Sequence, residues 1–164
     1  MDEVFPYVVR FAKQEEWDEA MQLAWDTFLE FEARDYTREG IRSFEDFISD
    51  ATLKRMFGMG VYQMFVAYSQ DKIVGMITLR NETHISLLFV DKKWHRRGVG
   101  RALINHLCDY LQNEMGRDKV TVNSAPYGIG FYHKLGFEDL GPEMQKEGIR
   151  YTPMQRSFWE RHDS

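Results

Sequence analysis

Ile85-Ser86-Leu87-Leu88-Phe89-Val90-Asp91-Lys92-Lys93-Trp94-His95-Arg96-Arg97-Gly98-Val99-Gly100-Arg101-Ala102-Leu103 is the run on which the reading of the whole chain turns. A β-prone apolar segment ends at Asp91, and a basic loop with two glycines follows. From Gly98 the apolar residues return at helical spacing, through Leu103, Ile104, Leu107, Cys108, Leu111 and Met115. A strand that feeds a helix through glycines points the unpaired N–H groups of the first turn, and the positive end of the helix dipole, at one spot. That arrangement suits an anion. Lys92, Lys93, Arg96, Arg97 and Arg101 crowd the same turn. Taken alone, the segment is more simply a helix start beside a solvated charge run, so its neighbours carry the argument.

Working outward, Gly116 is a fitting helix stop, and residues 119–123 read as a strand. Ser124 to Gly128 is a loop, residues 129–135 a short helix closed by Gly136, and residues 137–140 and 149–158 closing strands around Gly141-Pro142. Upstream, residues 7–12 are a short strand. Trp17, Ala20, Met21, Ala24, Trp25, Phe28, Leu29 and Phe31 then follow a helical period with acidic residues between them. Thr37 is the expected N-cap of a second helical region that carries Ile41, Phe44, Phe47, Ile48 and Leu53 on one side and ends near Gly58 and Gly60. Residues 61–68, 73–79 and 83–90 are three strands with short polar connections, hence an antiparallel meander. The order predicts a single domain over residues 1–164, of mixed α/β class, built on one sheet.

Composition narrows the function classes. With 164 residues, 43% of them hydrophobic, the chain can bury a real core. Its net charge of −5 makes general nucleic-acid binding a poor expectation and sets the basic loop apart from an acidic background. One cysteine, Cys108, excludes an internal disulfide and a cysteine-based zinc site, and no metal is expected. Cys108 falls on the apolar helix face, which makes it a core residue rather than a nucleophile. No apolar run approaches the ~20 residues that span a bilayer, and the amino terminus lacks a basic segment followed by an apolar run. The expected location is cytoplasmic, without membrane association.

Two stretches in order now carry a resemblance. His95-Arg96-Arg97-Gly98-Val99-Gly100-Arg101-Ala102-Leu103 resembles the acyl-CoA pyrophosphate loop of the GCN5-related N-acetyltransferase (GNAT) superfamily. Phe131-Tyr132-His133-Lys134-Leu135-Gly136-Phe137 resembles that superfamily's late Tyr-x-x-x-Gly-Phe motif. The strand and helix between them, and the element order over nearly the whole chain, fit as well. Two departures stand out: His95 occupies a position where the family usually has Gln or Arg, and Ala125 replaces an Asn found seven residues before the tyrosine. A dinucleotide fingerprint is a weak reading, since Leu103 stands where its third glycine belongs and the loop follows a meander rather than opening a βαβ unit; a P-loop would need Gly-Lys-Ser/Thr, which is absent.

The resemblance implies the acyl-CoA N-acyltransferase fold: a central mixed, mostly antiparallel sheet, splayed between its fourth and fifth strands, with helices on both faces. It implies acetyl-CoA as co-substrate and direct attack by a primary amine of a small molecule or peptide. The backbone of Leu88 would bond the thioester carbonyl, Phe89 and Val90 would pair with pantetheine, and His95, Arg96, Arg97, Gly98, Val99, Gly100 and Arg101 would hold the pyrophosphate. Asn123 or Ser124 would replace the missing Asn. Tyr132 is the expected general acid toward the departing thiolate. His84, four residues before Leu88 and placed by period-two alternation on one face with it and Ser86, is the expected base, with Glu82 as fallback. Glu30, Glu32 and Asp35 read as solvated face or as a lure for a cationic amine. The acceptor and the oligomeric state stay open, a homodimer among the options, as does the alternative of an acyl-CoA-binding domain without turnover.

Overall fold

Short, well-formed turns make the meander. The computed structural model describes residues 6–158; residues 1–5, where no leader is expected, and residues 159–164 lie outside them. Strand β2 (Gln63–Ser69) turns into β3 (Lys72–Arg80) through Gln70 and Asp71, both at positive φ (54° and 61°). Asn81 and Glu82, at 53° and 69°, lead β3 toward β4 (His84–Val90). Paired positive-φ residues match the twist of the flanking strands, which is why such polar dipeptides make tight hairpins. Strand β1 (Val8–Phe11) lies on the far side of β2, and β5 (Lys119–Ser124), β8 (Ile149–Ser157) and β6 (Glu138–Asp139) complete the order β1-β2-β3-β4-β5-β8-β6. A short β7 (Met144–Lys146) forms a hairpin with β8. Only β4 and β5 run parallel, and they pair at just two positions, His84 with Thr121 and Ile85 with Val122.

Helices cover both faces. On one side, α1 (Trp17–Phe31) buries Trp17, Ala20, Met21, Ala24 and Phe28, a stripe at helical period, against Met64, Val66, Met76, Leu87 and Phe89. Helices α2 (Arg38–Ile48) and α3 (Ala51–Gly58) join that layer through Ile48 and Leu53. On the other side, α4 (Val99–Asp109) sets Val99, Leu103, Ile104, Leu107 and Cys108 against Phe65, Ile77, Leu79, Val120 and Val122, with α5 (Ile129–Lys134) contributing Tyr132. Each fully buried Phe or Leu contributes about 1.5–3 kcal/mol relative to exposure. Leu103→Ala, at the centre of that second layer, would cost about 2–5 kcal/mol.

Three features depart from the sequence expectation. The single helical region after Thr37 is two helices. Thr37 does cap α2, accepting from Gly40 N at 3.1 Å, but Asp50 accepts from Thr52 N at 2.7 Å and starts α3 afresh. The β7–β8 hairpin adds a strand, and its turn residue Gly148, at φ 81°, accepts from Thr37 N at 3.2 Å. A side chain on Gly40 would run into the Gly148 carbonyl, so two glycines let the hairpin close against α2. The third departure is in β4. Thr78 pairs with Leu87 and Leu79 with Ile85, leaving Ser86 over as a bulge. Period two is broken there. The Ser86 hydroxyl accepts from Tyr62 OH at 3.1 Å on the α1 side, whereas Leu88 packs into the α4 layer. His84, Ser86 and Leu88 therefore do not share a face, contrary to the alternation expected.

Candidate active site

The bulge and the parted strands set the geometry. Asp91 N donates to Val74 O at 2.8 Å, and bonded and non-bonded residue pairs alternate along an antiparallel ladder. Phe89 opposite Met76 is thus a bonded pair, and so is Leu87 opposite Thr78. The N–H and C=O of Leu88 and Val90 turn away from β3, toward β5. Because β5 leaves β4 after Ile85, none of these groups meets a neighbouring strand: both peptide groups of Leu88 and the Val90 N–H open onto a gap, while the Val90 carbonyl accepts from His95. Phe89, expected to share in that row, spends its peptide groups on β3 and buries its ring against Phe44 at 5.8 Å. The gap-facing pair is Leu88 and Val90.

The loop that follows ends beside this gap. Asp91 accepts from Lys93 N at 2.8 Å and starts a turn at Lys92–Trp94. The chain then bends through Arg96 (φ 64°) and Gly98 (φ 81°) into α4. The first intrahelical bond is Ala102 N to Gly98 O at 2.9 Å, so the N–H groups of Val99, Gly100 and Arg101 have no partner within the helix. Arg96, Arg97 and Arg101 are exposed around that end, with the Arg97 guanidinium 5.8 Å from the Trp94 ring centroid.

The two glycines serve different ends. Gly98 is there for its left-handed φ, since a Cβ on it would meet nothing within 4 Å. Gly100 lets α4 meet α5: a Cβ on it would sit 3.1 Å from the Phe131 ring. His95 is also placed otherwise than a phosphate ligand. Its Nε2–H donates to Val90 O at 2.7 Å and its ring lies 4.8 Å from that of Phe31, bracing the end of α1 over β4.

Tyr132 stands at the far wall. It is 7% exposed, edge-on to Phe131 and Phe137. Its hydroxyl has no hydrogen bond among the described residues, and no side-chain polar atom among them is both shielded and unpartnered, so the hydroxyl reaches open space. Burial, and then the charge of Glu32, hold the phenol above its ordinary range and keep it protonated. Gly128 makes room: a Cβ there would come 3.1 Å from Ser124 Oγ and 3.4 Å from the Tyr132 ring. Ser124 is buried and donates to Ala125 O at 2.9 Å, while Asn123 is exposed opposite Pro153 of β8. Of the two, Asn123 has its side chain free to meet a ligand.

The carboxylates at the end of α1 separate sharply. Glu30 pairs with Lys92 at 3.2 Å, and Asp35 lies 3.7 Å from Arg150 of β8. Glu32 is half-buried and has neither ion pair nor hydrogen bond among the described residues. Burial, with the charge of Asp35 second, pushes its carboxyl up to about 7. The residue continues the buried stripe of α1, four positions after Phe28, and that periodicity was the one signal that could have distinguished it from its acidic neighbours. His84 stands elsewhere, at the closed end of the strands, its Nδ1 2.8 Å from Thr121 Oγ1. Burial, and then Arg80, hold its imidazole below the usual histidine range. Glu82, its fallback, is exposed and engaged by Arg117.

A family model described as an acetyltransferase (GNAT) domain matches residues 32–158. The chain belongs to the GNAT family. A glucosamine 6-phosphate N-acetyltransferase of Trypanosoma brucei brucei is 32% identical over 97 residues, covering 53% of this chain and 65% of that enzyme, so the likeness spans just under two thirds of that relative. Among solved structures, a GCN5-related N-acetyltransferase from Rhodopseudomonas palustris superposes with a TM-score of 0.79 at 22% identity, covering 96% of this chain and 99% of that one. PaiA N-acetyltransferase from Thermoplasma acidophilum, in complex with coenzyme A, gives 0.75 at 14%, covering 93% and 99%. An aminoglycoside 6'-N-acetyltransferase complexed with coenzyme A gives 0.65 at 15%, covering 95% and 99%. At these identities the structures show the fold that this chain shares. Among the described residues no helix is long and apolar enough to cross a membrane, and no cluster of His, Cys, Asp or Glu is placed to hold a metal ion.

Proposed function

We propose that this protein is an acetyl-CoA-dependent N-acetyltransferase acting on a primary amine of a small molecule or peptide. One observation carries the reading: the N–H and C=O of Leu88 and the N–H of Val90 face the gap between β4 and β5, and the loop that follows ends in the N–H groups at the start of α4 that have no partner within the helix. Strand-like pairing in that gap suits an extended amide chain, as in pantetheine. The helix end suits a diphosphate, helped by Arg96, Arg97 and Arg101, each N–H or cation at such an end contributing about 0.3–1 kcal/mol.

Within that frame the chain's own groups divide the work. Leu88 N–H serves as a donor to the thioester oxygen as charge builds there. The amine nitrogen attacks the thioester carbon, the C–S bond breaks, and Tyr132 gives its proton to the departing sulfur. The tyrosinate recovers a proton from the nitrogen of the new amide. A phenol raised by burial stays protonated until that moment, and only the developing thiolate draws the proton off.

Tyr132→Phe is the direct test, followed by thiol release from acetyl-CoA. Coenzyme A affinity should be kept while kcat falls about 10²-fold or more. Unchanged kcat removes Tyr132 as the acid. Coenzyme A binding without turnover of any amine would favour the alternative, an acyl-CoA-binding domain without catalysis.

A further inference from the structure

We infer that Glu32 is the group that receives the acceptor amine: its carboxylate binds the incoming ammonium at the mouth of the gap and takes the proton the nitrogen must lose before attack. The inference rests on the acetyltransferase reading and adds to it a residue and the charge of the substrate.

Placement is the first ground. Glu32 closes α1, and α1 ends over the site: Phe31, its last residue, lies 4.8 Å from the His95 ring at the coenzyme loop and 5.4 Å from Tyr127 in the loop before α5. The charge of Glu32, after burial, raises the hydroxyls of both Tyr36 and Tyr132, so the carboxylate lies near the expected acid Tyr132 as well as the turn that follows α1. The second ground is the lack of a counter-ion. Glu30 has Lys92, Asp35 has Arg150 and Glu16 has Arg10, but Glu32 has no cation among the described residues. A half-buried carboxylate of that kind is costly in the free protein and is relieved when a ligand brings the missing positive charge.

The groups that face Glu32 keep its ionisation near neutrality. Asp35 and Tyr36 come from the turn after α1 and Tyr132 from α5, while Arg150 of β8 pairs with Asp35 and Lys92 pairs with Glu30. With its carboxyl pushed up to about 7, Glu32 is ionised above neutral pH and a better base than an ordinary carboxylate; taking a proton from an ammonium of pKa about 10 is still uphill by about 3 pK units, and the attack that follows draws it forward. The balance closes. The ammonium proton goes to Glu32 and later to solvent, and the second amine proton replaces the one Tyr132 gives to sulfur. His84 is the rival, but it is tied to Thr121 and lies four residues before Leu88, about 13 Å of extended strand.

The test compares wild-type, Glu32→Gln and His84→Gln proteins across pH, with acetyl-CoA and three acceptors: glucosamine 6-phosphate, an aminoglycoside and a short peptide with a free amino terminus. In the wild type, kcat/KM should rise through about pH 7. Glu32→Gln should lose that rise and about 10²-fold in kcat/KM above it, and still bind coenzyme A as tightly. It should also melt no lower than wild type above neutral pH, because the strained charge is gone; this separates a lost base from a lost fold. His84→Gln should keep the rise. If Glu32→Gln keeps both rate and pH profile, or if only His84→Gln abolishes the rise, the inference is overturned while the acetyltransferase reading stands. If wild-type protein binds coenzyme A yet acetylates no acceptor, the role for Glu32 falls together with catalysis.

Discussion

Glu32 and Glu30 are the same residue type two positions apart, and the fold gives them opposite circumstances. A neutral-to-acidic pH titration of stability exposes the difference. A carboxyl raised from 4.5 to about 7 binds more protons folded than unfolded between those values, so it adds stability below pH 4.5 that is lost as pH rises to about 7. Glu32→Gln removes that loss. Allowing for its partial exposure, the variant should be more stable than wild type on the order of 1–2 kcal/mol at about pH 8, and not at about pH 4, as read by urea unfolding. Equal stability of the two proteins at both pH values would show that the carboxyl is not strained. Cys108 offers a second check at this scale. Burial, with Asp109 assisting against Arg156, pushes its thiol up to about 11. Alkylation of native protein at neutral pH should therefore be slow and become fast only on unfolding. Rapid native alkylation would contradict the core placement of this side chain.

Among elements, α4 carries a plain helical signal whose two glycines have different physical reasons. Its apolar stripe and its two glycines were plain in the sequence. That Gly98 serves φ and Gly100 serves contact with Phe131 was not, because neither a left-handed cap nor a neighbour on α5 leaves a mark in local spacing. Gly98→Ala forces a Cβ into the left-handed region and should cost about 1–2 kcal/mol, and it should weaken coenzyme A binding as the first turn shifts. Gly100→Ala should push α5 aside and lower kcat through Tyr132, leaving the coenzyme affinity nearly intact; circular dichroism melts and calorimetric titration separate the two variants. Elsewhere the long periodic elements were legible, since each buries one stripe or one face. The division of α2 from α3 at Asp50, the bulge at Ser86 and the three-residue β7 were not. A cap inside an apolar run, a register slip and a fully exposed polar strand all lack periodic signal. The bulge had the largest consequence, because the face assigned to His84 depended on unbroken alternation.

For the whole molecule, an acidic chain of net charge −5 carries the exposed arginines 96, 97 and 101 together at one place, and the half-buried carboxylate of Glu32, without an ion pair among the described residues, at another. On the proposed function, anionic coenzyme would meet the arginines and a cationic acceptor would meet Glu32. Raising ionic strength should weaken coenzyme A binding, because the arginines are solvent-exposed and screened. The most direct test of the central claim is an amide NMR titration of the protein with coenzyme A. Perturbations concentrated at Leu88, Val90, Val99, Gly100 and Arg101 are the expected result. The absence of binding, or perturbations gathered instead around the groove of Trp17, Trp25 and Asp50 between α1 and α3, would contradict it.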